Sequence, residues 1–192
     1  SNSLDVSSDG AYMGSASGVY GRVVLFDGNG NILWKSSIEN DAIRTIDISY
    51  DGSTIAIGDL SEIAVYANNN PTPLYRWQHN GYWAMVAVSD NGSVIAGGTM
   101  YGKLVIFKDG SGTPSIFDTQ NGQINDITIS PDGNIIVLAT DFGGLEIYDK
   151  NGNLKYQHGA QYSGIVGNVS ITADGKTIGC IYQGKFHLYK LP

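Results

Sequence analysis

Five Asp-Gly or Asn-Gly pairs recur along this chain at a nearly fixed interval. They end at Gly10, Gly52, Gly92, Gly133 and Gly175, which are 42, 40, 41 and 42 residues apart. Each pair closes a similar short run: "LDVSSDG" (4–10), "IDISYDG" (46–52), "VAVSDNG" (86–92), "ITISPDG" (127–133) and "VSITADG" (169–175). A period of this length means one supersecondary unit used several times, with each unit dependent on its neighbours for burial.

The runs between the turns are strands. A second run follows each turn: "AYMGSAS", "TIAIGD", "VIAGGT", "IIVLAT" and "TIGCIY". A third ends in an aromatic: "VVLF", "IAVY", "LVIF", "LEIY" and "FHLY". A fourth follows in the first four units: "ILWKS", "LYRWQ", "SIFDT" and "LKYQH". All are short, rich in Val, Ile and aromatics, and bounded by Gly, Asn, Asp and Pro. Asp-Gly between apolar runs is a hairpin signal, because tight turns need positive φ. No segment sustains a helical period. The second run is apolar at odd and even positions alike, so each sheet is expected to be covered on both faces.

Four antiparallel strands in about 41 residues is the pattern of a β-propeller. The expected fold is all-β: one domain over 1–192, most simply five blades at roughly 4–45, 46–85, 86–126, 127–168 and 169–192. The last blade lacks its outer strand, since the run stops at "FHLYKLP". Three completions stay open: an upstream segment supplies that strand, the units belong to a larger ring, or copies associate to close one.

With the units aligned, "ITISPDGNIIVLATDFGGLEIYDKNGNLKYQHG" resembles a WD-type repeat, and similar units occur in quinoprotein-like propellers. The resemblance spans essentially the whole chain and implies the fold; propellers host many unrelated activities. The Trp-Asp pair of WD repeats is replaced by Phe26-Asp27, Tyr66-Ala67, Phe107-Lys108, Tyr148-Asp149 and Tyr189-Lys190. The Gly-His pair is echoed only at His79 and His158.

Two sharper readings attach to "FDGNGNILW" (26–34). Asp27, Asn29 and Asn31 alternate like the start of a calcium loop, and "DKNGN" (149–153) does the same. Such a loop needs Gly at its sixth position and Glu at its twelfth. Here those positions hold Ile32 and Ile38, or Leu154 and Ala160. Both stretches fall where the repeat demands a turn between third and fourth strands, so no metal site is assigned. Trp34 and Trp77 resemble the blade-docking tryptophans of quinoproteins, with Phe117 and Tyr156 in the same slot of later units. That describes an aromatic packing slot, with Trp34 packed within its own blade, and no quinone or other cofactor is assigned.

No catalytic set is legible. His79, His158 and His187 lie in different units, and no zinc spacing links them. Asp5 and Asp47 share one slot of the first strand, near the expected axis. Channel water is the expected solvent for them; paired acid–base work or cation binding would use the same residues. Cys180, the one cysteine, sits in an apolar run and reads as a buried structural thiol. The chain is read as a non-enzyme.

The distinctive residues cluster on one set of loops. Between second and third strands, "SGVYGR", "TMYGK" and "TDFGGL" each place an aromatic before Gly: Tyr20, Tyr101 and Phe142. The connections between units add Arg44, Tyr82, Trp83, Asn125 and Tyr162. Tyr and Trp give large contact area at low entropy cost, so these eight residues are the expected partner-binding rim. The alternative is that the aromatics only cover the joints between units. A protein or peptide partner is the first expectation; a small ligand or glycan bound at blade-repeated sites is the second. The net charge of −7 argues against nucleic acid, and no run is long and apolar enough for a membrane-spanning helix. The Lys-poor, Asn-, Ser- and Tyr-rich composition leans toward a secreted or surface protein.

Overall fold

In a computed structural model, residues 2–17, 21–37, 42–80, 83–142, 144–158, 166–182 and 184–191 are described. They form nineteen strands in five antiparallel sheets, with no helix among them. The first sheet is β1 (Asn2–Val6), β2 (Tyr12–Ser17), β3 (Arg22–Asp27) and β4 (Ile32–Ser37). The second is β5 (Thr45–Ile48), β6 (Thr54–Gly58), β7 (Glu62–Ala67) and β8 (Tyr75–Gln78). The third is β9 (Ala84–Val88), β10 (Val94–Thr99), β11 (Lys103–Lys108) and β12 (Ser115–Asp118). The fourth is β13 (Ile124–Ile129), β14 (Ile135–Thr140), β15 (Leu145–Asp149) and β16 (Leu154–His158). The fifth has three strands, β17 (Val166–Ile171), β18 (Thr177–Tyr182) and β19 (Lys185–Lys190). Within each sheet the strands pair in chain order, as the repeat predicts.

The first turn of every unit is built alike. A Ser or Thr hydroxyl donates to an Asp or Asn two residues on, as in Ser7–Asp9 (2.8 Å), Ser49–Asp51 (2.6 Å) and Ser130–Asp132 (2.6 Å). The same hydroxyl accepts the amide five residues on, closing the hairpin from inside: Tyr12, Thr54, Val94, Ile135 and Thr177 donate at 2.9–3.0 Å. The carboxylate or amide oxygen then accepts the backbone N–H two residues further on. These local bonds are what short polar side chains offer in turns.

The core lies between sheets. Four apolar clusters fill four joints, one for each pair of consecutive sheets. On β6, Ile55 and Ile57 pack toward the first sheet, while Ala56 packs toward the third. This is why the second strand of each unit is apolar on both faces. Inner strands meet across every joint: β1 with β5, β5 with β9, β9 with β13, and β13 with β17. Among the described residues no packed joint links the fifth sheet to the first. The arrangement is propeller-like, with its two end faces uncovered.

Aromatic pairs lock the outer part of three joints. Trp34 stacks on Tyr66 of the next sheet at 5.5 Å, and its Nε1 donates to the Asn68 carbonyl at 2.8 Å. Tyr75 meets Phe107 at 5.3 Å, and His158 meets Tyr189 at 5.1 Å. Trp34 therefore bridges two sheets instead of packing within its own, because its strand faces the neighbouring β7. The slot assignment also shifts. Trp34, Tyr75 and Tyr156 stand opposite Leu25, Val65 and Ile147; Trp77 and Phe117 stand opposite Ile63 and Leu104, two residues away on the same face. Cys180 is buried in the last joint as a free thiol, and burial pushes its pKa up.

Truncating a joint aromatic removes packing from two sheets at once. Phe107→Ala should cost about 3–5 kcal/mol, whereas removal of the exposed Leu154 side chain should cost under about 0.5 kcal/mol. Urea denaturation monitored by circular dichroism measures both.

Candidate functional site

The pairing register sets which loops share a face. Each inner strand starts beside the end of the second strand: Thr45 opposite Gly58, Ala84 opposite Thr99, Ile124 opposite Thr140, and Val166 opposite Tyr182. The connections between units and the loops between second and third strands therefore emerge together. Of the eight residues expected at this rim, Arg44, Trp83, Tyr101, Asn125 and Phe142 are described. Tyr20, Tyr82 and Tyr162 lie outside the described residues.

Arg44 and Trp83 come together. The Arg44 guanidinium carbon lies 4.7 Å from the Trp83 ring centroid, and both residues are half-buried. Backbone bonds hold each in place: Arg44 N donates to Gly58 O at 2.8 Å, and Trp83 O accepts from Met100 N at 3.3 Å. A cation–π pair of this kind contributes about 0.5–1 kcal/mol, more where water is excluded. It also fixes two large side chains in one orientation.

Tyr101 and Phe142 stand out from the surface, at 59% and 66% exposure. The glycine after Tyr101 is a turn requirement. Gly102 has φ of 70°, and a Cβ there would lie 2.6 Å from the Gly122 carbonyl oxygen. Phe142 leans over Gly122, where a Cβ would come within 2.7 Å of its ring. Asn125 has a different place. Its Nδ2 donates to Asp141 Oδ1 (2.9 Å) and Val166 O (3.1 Å), and its Oδ1 accepts from Gln123 Nε2 (3.0 Å). Its amide is occupied in tying the fourth sheet to the fifth.

A residue missed in the sequence supports this rim from below. Glu146 is fully buried on β15 and accepts from Asn121 Nδ2 (2.7 Å), Tyr148 Oη (2.5 Å) and Gln120 N (3.1 Å). It holds the connection that carries Gly122, and hence the ground on which Phe142 rests. Burial and the Glu146 carboxylate push the Tyr148 hydroxyl well up from its ordinary value. An acid inside an otherwise apolar third strand, "LEIY", was the available signal.

The axial carboxylates have partners beyond water. Asp5 Oδ2 accepts from Ile48 N at 2.7 Å, and Asp47 Oδ2 accepts from Val88 N at 2.6 Å. Each acid thus satisfies a backbone amide of the next sheet's inner strand. Asp126 repeats the device with Val169 N at 2.9 Å, and Ser3 does so with Ile46 N at 3.3 Å. Asp126 escaped the slot comparison because it occupies the Ser3 slot, two residues before the Asp5 and Asp47 position. These groups line a polar concavity of about 440 Å³ between the inner strands. Burial, then the Asp5 carboxylate, raises the Asp47 pKa well above its ordinary 3.8; burial also raises Asp126.

In the "FDGNGN" turn, Asp27 Oδ1 accepts from Asn29 N (2.9 Å) and Asn31 N (2.8 Å), and Oδ2 accepts from Asn31 Nδ2 (2.9 Å). Asp149 is held in the same way by Asn151 and Asn153. The alternate spacing is an internal hydrogen-bond cap, which lowers both acids' pKa values. Among the described residues no group of three or more His, Cys, Asp or Glu is placed to hold a metal ion. No protein-family model matches the chain, and no curated protein matches it either.

Two outcomes are expected. Calcium and a chelator should leave the melting temperature unchanged. Asp47 binds its proton more readily folded than unfolded, so its contribution is most favourable below the ordinary value and declines as pH rises through the raised one. Asp47→Asn should match the wild type near about pH 3 and exceed it in stability near about pH 7. Urea denaturation across that range reads the difference.

Proposed function

We propose that the chain contributes five WD-like β-propeller blades and acts as a non-enzymatic interaction module. Its connection face takes a protein or peptide segment. The observation that carries this reading is the Arg44–Trp83 pair, half-buried and pre-oriented, on the same face as the outward-standing Tyr101 and Phe142. Aromatic and Arg side chains of this kind are the usual anchors of binding energy. Fixing them beforehand reduces the entropy lost on association. Repeated ligand sites would need equal side chains in each unit. At the Arg44 position the next two units carry Ala84 and Asn125, and at the Trp83 position the units on either side carry Ile43 and Ile124, which favours one extended partner over a repeated glycan.

Peptides selected from a displayed random library against the folded chain test this. Trp83→Ala and Tyr101→Ala should each weaken a selected peptide at least about tenfold, a loss of about 1.4 kcal/mol. A Lys35→Ala control should leave binding unchanged. Undiminished binding by the Trp83→Ala/Tyr101→Ala double variant would overturn the assignment, as would selective retention of glycans on an array.

A further inference from the structure

The two uncovered end faces are the two halves of one interface. At every joint, the leading face of one sheet receives the trailing face of the next. The leading face of the first sheet is Gly14, Ala16, Val23 and Leu25; the trailing face it receives is led by Ile46 and Ile48 of β5. Gly14 makes the seat: a Cβ there would lie 2.7 Å from Ile46 Cδ1 and 3.0 Å from Ile48 Cδ1. The fourth sheet presents Val137, Ala139, Leu145 and Ile147 to the fifth in the same manner.

The fifth sheet repeats this leading face, and among the described residues no further sheet packs on it. By register, Gly179, Ile181, Phe186 and Leu188 stand where Val137, Ala139, Leu145 and Ile147 stand. Phe186 is 69% exposed and Leu188 64%, whereas Leu145 and Ile147 are buried. These side chains line an almost wholly apolar concavity of about 370 Å³, with Gly179 in its lining. At the other end, β1 presents Leu4 and Val6, 68% and 51% exposed, in the slots of Ile46 and Ile48. Monomers rarely leave such strand faces bare.

We infer that a second copy of this chain docks head to tail, its Leu4 and Val6 seating over Gly179 between Phe186 and Leu188. The contact continues the four internal joints with the same side-chain geometry. A two-copy ring uses it twice; if the rotation does not close, the same contact builds an open chain.

Light scattering on the eluting protein tests this with Leu4→Glu and Leu188→Glu. The wild type should run at twice the 20.5 kDa of one chain, or at higher multiples that grow with concentration. Each variant alone should run as a monomer with an unchanged circular dichroism spectrum, because both side chains are exposed in the single chain. Mixing the two variants should restore association, since one keeps the leading face and the other the trailing face. A wild type that stays at 20.5 kDa at every concentration overturns the inference. So does a dimer that survives both substitutions, or one lost only in Leu188→Glu and not restored by mixing, which would mean like faces pairing.

Discussion

Every sheet in this chain carries apolar side chains on both faces, so each gains by stacking against a neighbour. The interior sheets do so on both sides, and everything else follows from the stack. Strand two supplies Ile55 and Ile57 to one side and Ala56 to the other. Alternating large and small residues lets branched side chains of one inner strand enter the shallow face of the sheet before it. The folding free energy therefore resides in joints.

Two polar devices align the joints. Inner-strand acids accept amides of the next sheet, so adjacent inner strands cannot slide without leaving a buried donor unpaired. The first turns are also linked directly: Ser8 N donates to Tyr50 O, Asp51 N to Asp90 O, and Asp90 N to Pro131 O. The carboxylates facing the axis thus serve as struts, and their raised proton affinity at Asp47 and Asp126 is the cost of placing charge there.

Much of this was legible in the sequence. The Asp-Gly period located all five first turns, and the apolar runs located the strands, because both signals are local. What was hidden depends on contacts between units. Trp34 reads as an internal packing residue until Tyr66 is placed 5.5 Å away on the next sheet. Asp126 occupies the Ser3 slot and not the Asp5 slot, and that the two slots do the same work is seen only once the next sheet's amides are in place. Glu146 is one acid in an apolar strand, and its role depends on Gln120 and Asn121 from the preceding connection. At the rim, the aromatic-Gly pattern pointed to Tyr101 and Phe142, which do stand outward. Asn125 carried the right chemistry for a contact residue, but its amide is taken up by Asp141 and Val166.

The linked first turns have a consequence for how the molecule comes apart. In the first three units a turn amide leans on a carbonyl of the unit after it, so loosening one of these sheets withdraws hydrogen-bond partners from its neighbour only. Opening then proceeds as fraying from the ends of the stack, with the central sheet the last to expose its amides. A molecule organised this way tolerates drift in its outermost units, while its middle acts as the keystone.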